Sequence, residues 1–414
     1  MKKFFWKLKY LGIIGVLVKI VKIIFYNIFH VLEQMEWRIC AFRFKFFRSI
    51  KLKKLEKKIN NPKYKNVYVF YPYTEWDLPI FQRPQQIALE LAKDSKNLYF
   101  FCSTNCVYDS FDIYEKINNN LYITNEYEFL MNVKTKKRIL HLYSTDTISK
   151  YSEIEKALKN GDRVLYEYID EIHEEITRSL PKDYLTKHKK ALRNEKCYVI
   201  ATAEKLLNDV KKVRKKNYAL ATNGVNVNDF YGRKVNMPSV IFELKQKYKA
   251  IITYYGALAV WFDYDLLKKA ATTYPEYAFV LIGMEYDNSF KKSKVTKLKN
   301  VFYLGKINYN ELINYSKNSD VLTIPFLINE ITESTSPVKL FEYMATQVPI
   351  LTTNMNECRK YESVNIGKTH EEYIKKIPEV IELKNNKKYL DLELKEANNN
   401  TWRKKVDVIE KLIK

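Results

Sequence analysis

ITESTSPVKLFEYMATQVPIL, residues 331–351, is the stretch whose reading decides the fold. Ahead of it stands VLTIPF (321–326), a short β-branched run bounded by turn-prone residues and therefore a buried strand. A helix is expected to start at Ser336-Pro337. Serine as N-cap accepts a bond from a free first-turn amide, and proline at the next position gives up no intrahelical partner. VPILTT (348–353) supplies the next strand. Strand, loop, helix and strand in that order build a parallel sheet, with a polar loop and a helix amino terminus at its carboxyl edge, a site for an anion. Glu342 lies between Phe341 and Tyr343 on this helix, where an ionised carboxylate is costly without a partner. Two readings stay open. Either it leans towards the helix amino terminus and grips sugar hydroxyls while the amides and Lys339 hold phosphate, or it is a partly exposed glutamate paired with a nearby lysine.

Outward from this unit the same alternation recurs. Upstream, AIITYYGALAVWFDYDLLKKAATTYP reads as strand, loop and helix, and YAFVLIGM and NVFYLG as further strands. Earlier still, NVYVFYP (66–72), NLYFFC, NLYITN, RILHLYS, RVLYEYID (163–170), KCYVIATA (196–203) and YALATNGVN (218–226) read as strands, and QQIALELAK (85–93) as a helix. Strands alternating with helices over this length mean two α/β domains in series. The expected divisions are 1–60, a basic amphipathic extension; 61–228, a first domain; 229–396, a second; and 397–414, a terminal helix packing back on the first domain through Trp402. Gly is scarce, at nine residues, and neither G-x-G-x-x-G nor a P-loop lysine occurs, which disfavours dinucleotide oxidoreductases and P-loop NTPases.

The chain of 414 residues carries a net charge of +23, and its first 60 residues hold fifteen Lys/Arg against three Asp/Glu. Lys19 and Lys22 share one face of the apolar stretch 11–32, and burying both in hydrocarbon would be expensive. An in-plane anchor on an anionic membrane surface, spanning residues 1–58, is therefore expected, with a helical hairpin packed on protein as the alternative. Basic residues without a recognisable nucleic-acid module speak against nucleic acid. Five cysteines at scattered positions suit reduced thiols, and Cys102 and Cys106 alone do not make a metal site.

Five pieces taken together resemble a known family: WDLPIFQRPQQIALELA (76–92), LYEYID (165–170), ATNGVNVNDF (221–230), YYGALAVWFDYDLL (254–267), and the long run 300–353 that contains the opening stretch. They resemble the GT-B glycosyltransferases of the large retaining group, family 4 type, and within it the teichuronic-acid-type cell-surface polysaccharide transferases. The resemblance implies an α/β fold of two Rossmann-like, doubly wound domains facing a cleft. It implies transfer of a sugar from a nucleotide-sugar donor, UDP-linked, to a lipid-linked or growing surface glycan, with retention and without a metal or other cofactor. The place implied is the cytoplasmic face of the plasma membrane.

Residue by residue, Glu342 matches the second glutamate of the family's E-x7-E motif, which holds ribose, and Thr335, Ser336, Pro337, Val338 and Lys339 match the stretch at the diphosphate. The motif's first glutamate falls at Ser334, with Glu330 and Glu333 nearby, and Glu333 is the candidate for its catalytic role. Gly256 matches the glycine that lets phosphate approach the first strand of the nucleotide domain. Asp170, preferred over His173, is the candidate beside the donor sugar. Trp76, Asp77 and Arg83 are expected to face the cleft on the acceptor side, Arg83 either binding a lipid-linked diphosphate or pairing with Asp77. Trp261 is either a site residue or packing. Two rival functions remain: a sugar-nucleotide-modifying enzyme of the epimerase kind on the same fold, and a degenerate membrane-docking subunit.

Overall fold

The computed structural model describes residues 47–78, 81–144, 151–177, 180 and 183–414, with isolated positions between 17 and 35. It divides into two units, residues 1–61 and 62–414. In the first, residues 47–59 form a helix, and most of the expected membrane-binding segment lies outside the described residues.

The second unit holds two sheets. Strands β1 (Asn66–Phe70), β2 (Asn97–Cys102), β3 (Tyr114–Lys116), β4 (Leu121–Thr124), β5 (Arg138–Tyr143), β6 (Arg163–Tyr168), β7 (Cys197–Ala201) and β8 (Tyr218–Leu220) form an eight-stranded sheet in the order β3-β4-β2-β1-β5-β6-β7-β8. All its pairings are parallel except β3 with β4. Strands β9 (Ala250–Tyr255), β10 (Tyr277–Ile282), β11 (Val301–Tyr303), β12 (Val321–Ile324), β13 (Ile350–Thr353) and β14 (Val364–Gly367) form a six-stranded parallel sheet in the order β11-β10-β9-β12-β13-β14. Most of these strands are continuous apolar runs, as parallel strands covered by helices on both faces must be. β2, for example, is buried at all six of its positions.

Each sheet reverses its winding once, between β1 and β5 in the first and between β9 and β12 in the second. Such a reversal opens a crevice at the carboxyl ends of the two strands. Two doubly wound domains in one chain agree with the expected α/β architecture. The chain crosses between them at Asn223-Gly224, where a side chain in place of Gly224 would meet the carbonyl oxygen of Asn400 at 2.7 Å. It then returns through helix α1 (Trp402–Ile413), whose Trp402, Val406, Ile409 and Ile413 join Tyr68, Ile87 and Leu91 in the core of the first domain.

Candidate functional site

The opening stretch forms β12, a loop, helix α2 (Val338–Thr346) and β13. The helix begins later than expected. Pro337 occupies the N-cap position, and no side chain caps the helix there. Ser336 is not the cap because a residue 113 positions away claims it: the Asn223 amide donates to Ser336 Oγ at 3.2 Å, and Asn223 Nδ2 donates to the Ser336 carbonyl at 2.6 Å. The first turn of α2 thus keeps its amides uncapped by side chains, with the partial positive charge of a helix amino terminus. The loop also contains a short turn, Glu330–Glu333, stabilised by a reciprocal capping box between Asn329 and Thr332 that sequence reading passed over.

A cavity of about 340 Å³ lies where the two sheets' carboxyl edges meet. From the second domain it is lined by Gly256, Thr335, Ser336, Pro337, Val338, Lys339 and Glu342, and from the first by Arg83, Asn223 and Asp170. Gly256 follows β9 with φ +147°, and a Cβ there would lie 2.6 Å from Lys339 Cε. Its neighbour Gly283, which sequence reading missed, has φ +141° and sits so close that a Cβ would fall 1.9 Å from the Gly256 carbonyl oxygen. Both positions require glycine on conformation and on space, and together they leave room for the lysine.

Lys339 Nζ rests 5.1 Å from the centre of the Phe326 ring and 5.6 Å from that of Tyr254. Among the described residues it has no ion-pair or hydrogen-bond partner. Burial lowers its pKa to about 8, against the opposing attraction of Glu342. Glu342 is 5% exposed and accepts a hydrogen bond from the Tyr255 hydroxyl at 2.9 Å. Burial raises its pKa to about 7, with the Tyr255 bond and Lys339 resisting. Its partner is therefore a tyrosine and not a nearby lysine. Tyr255 is fixed in turn, since its amide donates to Tyr343 Oη at 3.1 Å. The arrangement offers an anion the Lys339 ammonium and a helix amino terminus, with a carboxylate acceptor a turn further along and Arg83 and Lys306 elsewhere in the lining.

Other expected residues lie elsewhere. Trp76 is 6% exposed and packs edge-on against Phe101 and Phe81 in the first domain's core; it does not line the cavity. Asp77 does not line it either, and its amide donates to Asp109 Oδ1 at 2.8 Å. Arg83 does line the cavity, but its ion-pair partner is Glu167 and not Asp77: Nε donates to Glu167 Oε2 at 2.6 Å and Nη1 to the Thr222 carbonyl at 3.0 Å. Glu167 Oε1 also meets His141 Nε2 at 2.7 Å, and His141 Nδ1 meets the Tyr99 hydroxyl at 2.8 Å. Burial pushes the Glu167 carboxyl up, yet Arg83 and His141 outweigh it and hold the group below the usual range.

Glu330 and Glu333 are outside the cavity lining, and Glu333 Oε2 lies 3.9 Å from Arg359 Nη2. A four-residue turn turns these carboxylates away, a geometry the spacing of acidic residues does not reveal. Ser334 is 0% exposed, also outside the lining, and donates to Glu171 Oε2 at 2.8 Å. His173 is likewise absent from the lining, whereas Trp261 contributes to it. Among the described residues no group of three or more His, Cys, Asp or Glu is placed to hold a metal ion.

Residues 240–393 match the model of the family described as Glycosyl transferases group 1. A curated protein of Bacillus subtilis (strain 168), "Putative teichuronic acid biosynthesis glycosyltransferase TuaH", is 26% identical over 113 residues, covering 27% of this chain and 28% of that relative's length. Among solved structures, Anabaena Alr3699/HepE in complex with UDP aligns with a TM-score of 0.60 at 11% identity, over 84% of this chain and 98% of that one. Sucrose-phosphate synthase from Thermosynechococcus elongatus aligns with a TM-score of 0.63 at 12% identity, over 84% and 98%. The E. coli trehalose-6-phosphate structure bound with UDP-2-fluoro glucose gives 0.65 at 12%, over 84% and 99%. The likeness to these structures concerns the fold, and the family match covers residues 240–393, which include Lys339 and Glu342. The chain therefore has a GT-B fold with a group 1 glycosyltransferase region at residues 240–393, and it resembles the teichuronic-acid-type enzymes.

Proposed function

We propose that this protein transfers a sugar, with retention, from a UDP-linked donor to a lipid-linked or growing cell-surface glycan. The observation that carries the reading is the Lys339–Glu342 pair on the first turns of α2, opposite Gly256 in the cavity. Lys339 and the first-turn amides hold the diphosphate and stabilise the charge that develops on it as the glycosidic bond breaks, so no metal ion is needed. Glu342 accepts hydrogen bonds from the ribose hydroxyls. Asp170 lies at the same cavity from the opposite domain and serves the donor sugar. The UDP in HepE and the UDP-2-fluoro glucose in the E. coli structure support a uridine nucleotide.

The protein works at the cytoplasmic membrane face. Leu17, Ile20, Val21, Ile24, Phe25, Ile28, Val31 and Met35, the described positions of this segment, are all helical and exposed. With the basic residues of the first 60 positions, exposed apolar side chains suit an anionic bilayer surface. No helix among the described residues is long and apolar enough to cross a membrane.

A thermal-shift screen of common nucleotide sugars, followed by measurement of UDP release with membrane extracts as acceptor, tests the reading. Stabilisation by a UDP-sugar and acceptor-dependent release of UDP are expected. No stabilisation by any nucleotide sugar would overturn it, and turnover of the nucleotide sugar without an acceptor product would point to a sugar-nucleotide-modifying enzyme.

A further inference from the structure

Residues 169–177 leave the carboxyl end of β6 and contribute Ile169, Asp170 and Ile176 to the cavity wall. This strap belongs to the first domain, yet it is fastened to the second near both its ends. Near its start, Glu171 Oε2 accepts the Ser334 hydroxyl at 2.8 Å and lies 3.3 Å from Lys205 Nζ, which also donates to the Glu330 carbonyl at 3.0 Å. Near its end, the Ile176 carbonyl accepts from the Tyr286 hydroxyl at 3.0 Å, and the Tyr286 ring lies 5.3 Å from that of Trp261, itself a cavity residue.

Residue 334 decides whether this seat exists. Ser334 is 0% exposed, so its small side chain is enclosed, with its hydroxyl 2.8 Å from the Glu171 carboxylate and 2.9 Å from the Glu330 carbonyl as alternative acceptors. A carboxylate there would be buried against Glu171, and two like charges that close cannot both remain ionised. Neither Glu171 nor Ser334 lines the cavity, while their chain neighbours Asp170 and Thr335 do.

We propose that Glu171 and Ser334 are a matched positioning pair. They seat the strap so that Asp170 is held at the same cavity as Thr335, Lys339 and Glu342. The role rests on the sugar-transfer reading above, because Asp170 matters only if chemistry occurs beside it. Since the pair stands behind the wall, it governs how the first domain presents Asp170 and leaves the nucleotide's own contacts intact.

The test compares the full-length protein with Ser334→Glu, Glu171→Ser and the double exchange carrying both. Three quantities are read: the Kd for UDP by calorimetry, hydrogen exchange of the amides in 169–177, and kcat and KM for UDP-glucose. Each single variant is expected to speed exchange of the strap by roughly tenfold or more, and the double exchange to return it to within about threefold of the wild type. Where UDP-glucose turns over, kcat falls in the single variants, recovers in the double, and KM changes by no more than about twofold. The Kd for UDP is expected to hold throughout. Unchanged strap exchange in the single variants, or no recovery in the double, would overturn the pairing. A wild-type protein that does not bind UDP would overturn the nucleotide-sugar reading instead, and strap exchange is measured whether or not UDP-glucose is a substrate.

Discussion

The two domains meet the cavity with charged residues of opposite habit. On the first domain's side most of the charge is answered from within, although Arg83 Nη2 is buried without a hydrogen-bond partner. Arg83 is paired with Glu167, which is paired with His141, and Glu75 accepts the amides of Val107 and Tyr108 at 2.8 and 2.6 Å. Asp109 in its turn accepts the amides of Trp76 and Asp77. On the second domain's edge Lys339 has no ion-pair or hydrogen-bond partner among the described residues and lies near two aromatic rings, and burial pushes both Lys339 and Glu342 towards their neutral forms. A folded protein bears that cost when the groups are needed for something it does not itself contain. The contrast supports the proposal that the second domain's edge receives an anion, with the arginine and the lysine of the one cavity in different roles.

Breaking the answered side gives the largest expected effect. Glu167→Ala leaves Arg83 charged and unpaired in the interior, and loss of one member of a buried pair costs about 3–5 kcal/mol. Chemical denaturation should register that loss, with UDP affinity of the remaining folded protein little altered. Breaking the unanswered side reverses the pattern. Lys339→Ala removes a charge-assisted contact to phosphate, a loss of about 1.5–3 kcal/mol, or roughly 10- to 150-fold in the Kd for UDP. Its folding stability should stay level or rise, because a desolvated ammonium has gone. If the two variants exchanged behaviours, the contrast between the domains would be wrong.

The smallest effect sharpens the contrast through pH. Glu342 gains its charge as pH rises through about 7, and Lys339 loses its charge as pH rises through about 8. UDP binding that uses both charged forms is strongest between these values, and is expected to weaken roughly tenfold one pH unit outside either of them. Calorimetry from pH 6 to pH 9 should trace a bell, and a profile flat across that range would remove one or both groups from the site.

Both sheets were legible in the sequence because their strands are short apolar runs separated by turn residues, and the pattern survives without any knowledge of neighbours. Lys339, Glu342 and Gly256 were legible for a related reason: one strand–loop–helix unit and the glycine after β9 determine where they lie. Several of the errors involve partners remote in sequence. Ser336 had the composition of an N-cap but was claimed by Asn223. Arg83 was offered Asp77, six positions away, and found Glu167, 84 positions away. Trp76, on a loop expected to face the cleft, turned into the core beside Phe101. Ser334 read as the loss of a carboxylate, and only the folded chain shows Glu171 opposite it. The strands Tyr114–Lys116 and Val364–Gly367 and the helices His370–Glu382 and Lys387–Asn399 also escaped sequence reading.

The central claim, that the Lys339–Glu342 edge is a nucleotide-sugar site, is tested most directly by calorimetric titration of UDP into the wild type and Glu342→Ala at pH 7.5. The account predicts a saturable isotherm for the wild type, and for a variant that is still folded by circular dichroism, a Kd weakened by at least about tenfold. Equal affinity in the two proteins would contradict it.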